Sequence, residues 1–548
     1  MKFLELAELY EKLESTSKKL EKRDILADFY KKCSLEQLPE VVLLSMGVIF
    51  PAGEEDLGIA KKMMIKVVSR SSGTSEKEVV KKYKDTGDLG LSVEELIKKG
   101  RQRTLVKKEL TISHVFENLR KLPELSGSGS QDKKMALVAE LLAHASGKEA
   151  RYLVRIVLGD MRIGVAAGIV RDAIAKAFEK DKKDVEKAYD FTGDYGQVAL
   201  MAKKNNLHSV RIKIGFPVRV MLAERAPDLK TAISEFDRPA LEWKYDGFRI
   251  SLHKDEEKIK IFSRRLEEVT KQFPDIVKWS RNQLKPEKCI VEGEVIAIDS
   301  SGRPLPFQHL SRRIQRKYDI EKTVKQIPVS VKLFDCIYVN GTNFMERPLG
   351  KRWDELKKII SPSSNFGLAE HIETKDHDRA EKFYKEALAV GQEGLIVKNL
   401  DAHYQPGKRV GFWLKVKQTM EPLDLVIVGA EWGEGKRAGT LGSLLLACRH
   451  RGRFLTTGMM GSGLTDEQLK EVTKRLKKII TEEKGKEVRV RPEVVIEIGY
   501  EEIQKSPKYE TGYALRFPRL IRFREEEKKP EDADTLATIE KLFRQQKK

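Results

Sequence analysis

Glu242-Trp243-Lys244-Tyr245-Asp246-Gly247-Phe248-Arg249 sets one lysine among apolar neighbours and beside an Asp-Gly pair. Downstream, Phe248, Ile250 and Leu252 alternate toward the polar run Asp255-Glu256-Glu257. Ile259 and Ile261 then resume the alternation, the pattern of two strands joined by a turn. Side chains two apart on a strand share a face, so Glu242, Lys244 and Asp246 are expected on one side. An ordinary solvated lysine fits such a face. A nucleophilic lysine fits it too, provided burial or nearby cations disfavour the protonated amine. The short motif does not choose between them; the segments on either side of it do.

Composition narrows the partners. The 548 residues suffice for roughly two to four domains. A formal net charge of +20 favours a polyanion, most simply a nucleic acid. An acidic membrane surface would attract the same charge. However, the N-terminus carries no signal pattern, and the longest apolar stretch, 41–52, is too short to span a bilayer. Cys33, Cys289, Cys336 and Cys448 are far apart and form no C-x-x-C pair, which argues against a disulfide framework or a zinc finger. A soluble, intracellular protein with no membrane partner is expected. The charged fraction of 34% suits a thermophile. No G-x-x-x-x-G-K-[ST] occurs, which disfavours a P-loop ATPase or helicase.

Residues 1–208 read as helical. Leu6, Leu9, Tyr10 and Leu13 recur at helical spacing, and Ser75 with Glu78 and Ser92 with Glu95 have capping-box spacing. The loop Ser126-Gly-Ser128-Gly-Ser130 precedes a helix expected over 131–145. Its amides suit a phosphate, and a flexible connector would have the same composition. Leu158-Gly-Asp-Met-Arg162-Ile-Gly164 joins two apolar helices by a tight turn, leaving Arg162 and Arg171 available to a DNA backbone. From about 211 the texture changes to short β-branched runs. Strands are expected at 240–253, 258–263, 289–298, 329–339, 394–398 and 412–417, with helices at 265–285 and 376–390, giving an α+β domain over 209–418. After Leu423 about five short strands and one amphipathic helix, 465–483, suggest a β-barrel of OB type over 419–548, closed by a C-terminal helix.

Within the central region, chemistry-bearing residues recur at strand ends. Phe262-Ser-Arg264-Arg closes the hairpin, and Val291-Glu-Gly-Glu294-Val puts two acids on one face. Phe334-Asp-Cys-Ile-Tyr-Val-Asn-Gly341 has one early aromatic. Glu393-Gly-Leu-Ile-Val-Lys398 opens with a carboxylate, and Trp413-Leu-Lys415-Val-Lys417 pairs two lysines. Singly, each has an ordinary structural explanation, since such aromatics are usually core and paired lysines usually solvated. In this order they resemble the motif series of the covalent nucleotidyltransferases, specifically the ATP-dependent DNA ligases of the archaeal and eukaryotic replicative type. The flanks share the resemblance: Leu158 to Val165 followed by Val170-Arg-Asp-Ala173 is similar to the helical DNA-binding domain. Tyr509-Glu-Thr-Gly-Tyr-Ala-Leu-Arg-Phe-Pro-Arg519 and Pro530-Glu-Asp-Ala-Asp-Thr535 look like the C-terminal signature.

The resemblance implies an all-α DNA-binding domain (1–208), an α+β adenylation domain (209–418) and an OB-fold domain (419–548). It implies a monomeric enzyme that seals nicked double-stranded DNA in replication, repair and recombination, with ATP and Mg²⁺. Lys244 would take AMP from ATP. Lys415 and Lys417 would offset phosphate charge and help deprotonate Lys244, and Glu294 and Glu393 would serve Mg²⁺ or a ribose hydroxyl. Phe334 would stack on adenine with Glu242 near its edge. Arg249, Arg264 and Arg409 would hold phosphates of the nucleotide or the nick. Two departures stand out. The usual closing Arg-x-Asp-Lys is here Arg524 followed by Glu525, Glu526, Glu527 and Lys528, so Arg524 and Lys528 transfer less directly. The segment nearest a sliding-clamp motif, Gln102-Arg-Thr-Leu-Val106, lacks both expected aromatics, so a clamp contact is admitted but not signalled. An RNA ligase or capping guanylyltransferase would share the core motifs without the long helical region. A cysteine cluster would be expected of an NAD-dependent ligase. A non-catalytic DNA-binding relative would be expected to have lost Lys244, Lys415 or Lys417.

Overall fold

A computed structural model of the chain describes residues 1–51, 57–99, 108–125, 127, 129–316, 320–417, 420–433, 437, 439–461, 463–524 and 526–546. They fall into two compact units, Met1–Lys417 and Gln418–Lys548. Within the first unit, buried apolar side chains from Phe3 to Trp413 form one connected cluster. Among the described residues no helix is long and apolar enough to cross a membrane.

Helices run from Phe3–Glu14 to Tyr195–Lys203. Ser75 accepts from the Glu78 amide and forms the anticipated capping box. Ser92 does not start a helix. The helix Leu89–Lys99 begins earlier, on Asp88, whose Oδ1 accepts from the Gly90 amide at 2.8 Å. A carboxylate at a helix N-terminus satisfies free amides and meets the favourable end of the dipole. Asp88 is held in turn by the buried Arg155, which donates from Nε to its Oδ2 at 3.1 Å. The helix predicted over 131–145 is Ser130–His144, and the 158–164 turn joins helices Gly147–Val157 and Ala167–Ala177 with Arg162 in left-handed backbone (φ 57°).

The mixed region of this unit contributes β1 (Glu224–Arg225), β2 (Pro239–Lys244), β3 (Phe248–Asp255), β4 (Lys258–Ser263), β5 (Lys288–Ala297), β6 (Val329–Val339), β7 (Thr342–Asn343), β8 (Phe366–Leu368), β9 (His371–Glu373), β10 (Gly394–Asn399) and β11 (Trp413–Lys417). One sheet runs β1-β11-β10-β2-β9 and the other β4-β3-β5-β6-β7, with β8 beside β6. The single strand expected over 240–253 is therefore two strands in different sheets. The chain crosses between them at Tyr245-Asp246-Gly247, because Gly247 lies so close to β5 that a Cβ there would sit 2.5 Å from the Val295 carbonyl oxygen. The helix expected over 265–285 is shorter, Pro274–Gln283, since Pro274 suits a first turn and Leu266 has a positive φ of 69°. That over 376–390 is His377–Ala389, capped by Asp376.

The second unit is strand-rich. Its main sheet orders Arg453–Met460, Leu441–His450, Leu423–Trp432, Glu487–Gly499 and Ile480–Lys484, and Arg519–Phe523 also pairs with Glu487–Gly499. The helix expected over 465–483 stops at Lys477. Once Leu476 and Ile479 are buried, Ile480–Lys484 takes backbone partners on the long strand instead.

A buried ion pair fastens β6. Arg352, on helix Leu349–Ile359, donates from Nε to Asp335 Oδ1 at 2.7 Å and from Nη2 to Oδ2 at 3.0 Å, and both residues are 0% exposed. Replacing Arg352 by Met strands a buried carboxylate one residue from Phe334. It is expected to lower unfolding stability by about 3–5 kcal/mol in denaturant titration, with R352M/D335N together recovering part of the loss.

Candidate active site

The register of three antiparallel strands assembles the site. Gly394 on β10 faces Lys244 of β2 on one side and Lys417 of β11 on the other; Ile396 lies between Glu242 and Lys415, and Lys398 between Ala240 and Trp413. Directly opposed residues point to the same side of a sheet, so these lysines and Glu242 share one face. Glu393, just before β10, is the hub: Lys244 Nζ contacts its Oε2, and Lys417 Nζ reaches the same oxygen at 2.9 Å. Burial alone would raise the Glu393 pKa, but Lys244 and Lys417 overcome it and hold the group at about 2. Glu294 behaves oppositely. Burial, with Glu393 and Asp246 nearby, outweighs Lys244 and Arg249 and pushes it to about 7. Asp246 lies beyond the end of β2, and its Oδ2 accepts from the Phe307 amide at 3.0 Å.

A second cluster lies along the same ladder. Glu242 is almost fully buried and contacts Lys398, while His371 Nδ1 lies 3.5 Å from its Oε1. Phe334 meets Trp413 edge to face, 6.1 Å between centroids. Arg249 is drawn inward: it donates to Glu292 Oε2 and to the Met221 carbonyl, each at 2.7 Å, with its guanidinium 5.2 Å from the Phe334 centroid. Arg264, just after β4, has a pKa pulled below the usual arginine range by burial and then by Arg249 and Arg409. Guanidinium groups that crowd one another in this way form a ready place for phosphate oxygens.

The other anticipated residues are dispersed. Arg162 donates from Nη2 to the Gly87 carbonyl at 2.9 Å and from Nε to Asp160 at 2.9 Å. Arg171 is engaged by Asp172 at 2.9 Å and Glu186 at 3.4 Å. Ser128 and the segment 102–106 lie outside the described residues. Arg524 and Lys528 sit in the second unit, where Arg524 donates to Glu497 Oε2 at 3.1 Å and Lys528 to Asp424 Oδ2 at 2.5 Å. Reading the sequence did not single out Lys398, Glu292 or Tyr404, whose hydroxyl donates to Glu292 Oε1 at 2.9 Å. A lysine closing an otherwise apolar strand was the one available signal for Lys398. Glu292 and Tyr404 are 112 residues apart, and nothing in the sequence pairs them.

Comparison with known proteins covers nearly the whole chain. Residues 2–175 match the model for the DNA ligase N terminus, 220–417 that for the ATP dependent DNA ligase domain, and 437–527 that for the ATP dependent DNA ligase C terminal region. The chain is 48% identical over 550 residues to the DNA ligase of Thermococcus fumicolans, covering 99% of this chain and 98% of that protein. It is 43% identical over 553 residues to the DNA ligase of Archaeoglobus fulgidus, covering 100% and 99%. A solved structure described as Pmar-Lig_PreS3 shares the fold, with a TM-score of 0.59 at 19% identity over 95% of this chain and 99% of that one. The chain thus belongs to the family of ATP-dependent DNA ligases.

Proposed function

We propose that this ligase seals nicks in duplex DNA by way of an AMP group carried on Lys244. The observation that carries the reading is the row formed by Lys244, Gly394 and Lys417 across three paired strands, with Glu393 joining the two lysines and Lys415 one step along the same face. A deprotonated Lys244 Nζ attacks the α-phosphorus of ATP. The N–P bond forms as the bond to pyrophosphate breaks, and pyrophosphate leaves with the electron pair. Lys415 and Lys417 stand where charge gathers on the phosphate, and being fixed by the sheet they need no reorganisation. AMP then passes to the 5′-phosphate of a nick, and the neighbouring 3′-hydroxyl displaces it.

Among the described residues no three His, Cys, Asp or Glu side chains are gathered to hold a metal by themselves. Glu294 and Glu393 nevertheless lie close enough to influence each other's charge, and two hard oxygen donors suit Mg²⁺ when phosphate oxygens and water complete its shell. Bound there, Mg²⁺ would neutralise phosphate charge. Arg249, Arg264 and Arg409 are assigned to nucleotide or nick phosphate, which for Arg249 requires exchanging Glu292 for the ligand. Phe334 is assigned to the adenine face.

Residues 1–208 are read as the part that grips the duplex through Arg162, Arg171 and the loop around Ser128, residues 209–418 as the adenylating part, and 419–548 as an OB-type part bringing Arg524 and Lys528. The enzyme is taken as a monomer, with a sliding clamp as an optional partner.

Incubation with α-labelled ATP and Mg²⁺ is expected to label the wild type at Lys244 in an acid-labile bond. K244A should remain folded and unlabelled. K244R should also fail, because a guanidinium stays protonated and cannot attack. Label on another lysine would end the assignment. For DNA binding, log affinity should fall linearly with log salt by about 0.9 per phosphate neutralised, irrespective of sequence. Arg171→Ala should make that slope shallower by about 1. An unchanged slope would remove Arg171 from the contact set.

A further inference from the structure

The Glu242 carboxylate is 3% exposed and held from two sides. Lys398, itself 2% exposed, contacts its Oε2, and His371 stands against its Oε1 with the imidazole stacked on Trp353 at 4.3 Å and 14°. Lys398 Nζ also lies 4.4 Å from the Phe334 centroid and 4.3 Å from that of Trp413, so the ammonium fills the wedge of that edge-to-face pair. Taking an ammonium and a carboxylate out of water is expensive, and apolar side chains of the same volume would stabilise the sheet at least as well. The pair therefore needs an explanation other than stability. Its surroundings supply one. Phe334 and Trp413 are themselves nearly buried, at 8% and 3% exposure; the Phe334 ring is the one assigned above to adenine, and through Lys398 the acceptor-only carboxylate of Glu242 is held beside it.

We infer that Lys398 is a positioning residue for nucleotide choice: it fixes Glu242 as a hydrogen-bond acceptor, so that a purine with a 6-amino donor is taken and one with a 6-oxo acceptor is refused. This deepens the proposal that residues 209–418 hold ATP, and rests on it. Burial by itself would raise Glu242, yet Lys398 and then His371 reverse that and leave it below its usual value. An ionised carboxylate cannot donate, so a 6-oxo group would face it oxygen to oxygen with neither satisfied. Mismatches of that kind give the largest discriminations that a binding site achieves. The cation is anchored independently of any ligand, since β10 carries Lys398 in register with Ala240 and Trp413.

The test compares initial rates of labelling of the full-length chain by α-labelled ATP and by α-labelled ITP, which differ at the 6-position, for wild type, K398M and K398R. Wild type should prefer ATP strongly. In K398M Glu242 loses the cation that fixes it as an acceptor, so the ATP:ITP ratio of kcat/KM should fall at least about tenfold, with the loss toward ATP expressed mainly in KM. K398R keeps a cation in place and should recover most of the preference. A wild-type ratio in K398M, whatever its absolute rate, would overturn the inference, as would equal losses for both nucleotides in K398M and K398R. Should K398M not fold, E242Q carries the test. Its amide can turn either N–H or C=O to the base and should admit ITP, and an unchanged ratio would again overturn the inference. A wild type that labels Lys244 but does not distinguish ATP from ITP would remove Glu242 from the base edge altogether, without touching Lys244 as nucleophile.

Discussion

The site depends on how closely β11 approaches β10 at Gly394. This residue lies between Lys244 and Lys417 with φ +138°, and a Cβ on it would fall 2.2 Å from the Val416 carbonyl oxygen and 3.2 Å from the Lys417 Cα. No side chain fits there and no L-residue readily adopts that backbone. The closeness lets one carboxylate, Glu393, reach both lysines. Wider spacing would leave two solvated lysines on neighbouring strands, each with its own water shell, which is how the same residues would behave on an ordinary exposed sheet.

That proximity has an electrostatic consequence. Lys244, Lys415 and Lys417 share a face, and the carboxylates near them do not respond alike. Glu393 touches two ammonium groups and stays ionised, while Glu294, desolvated and near other acids, is displaced to about 7. Two glutamates of one site thus differ in proton affinity by environment alone. Charges gathered this densely do not optimise stability, and they make sense as a site prepared for a polyphosphate carrying its own negative charge.

Behind this face the fold is held by buried pairs that take no part in the proposed chemistry. Arg352 and Asp335 anchor β6 from its far side, so that Phe334, the next residue along, cannot drift relative to Trp413. Arg155, Asp88 and Glu14 do the same for the helical region, tying three helices through one guanidinium. In both places an arginine is used where its planar fork satisfies several acceptors at once, which a lysine could not do.

Much of this was legible in the chain itself. Helical spacing in 1–208, alternation in the strands and the ordered series from Lys244 to Lys417 are local or periodic features, and secondary structure follows from local sterics and patterning. The residue types suited to the chemistry could be named for the same reason: a lysine, two further lysines, two glutamates and an aromatic carry their chemistry wherever they lie. The sequence could not show that 240–253 divides between two sheets, since Tyr245-Asp246-Gly247 interrupts the pattern only through the close approach of Gly247 to β5. Nor could it show that Ser92 loses its capping role to Asp88, that Arg249 turns inward to Glu292, or that Lys398 lies against Glu242, 156 residues away. Those outcomes rest on strand register and on which charge finds a partner in the buried interior. Both are set by contacts between segments far apart in the chain, so only the tertiary structure could decide them.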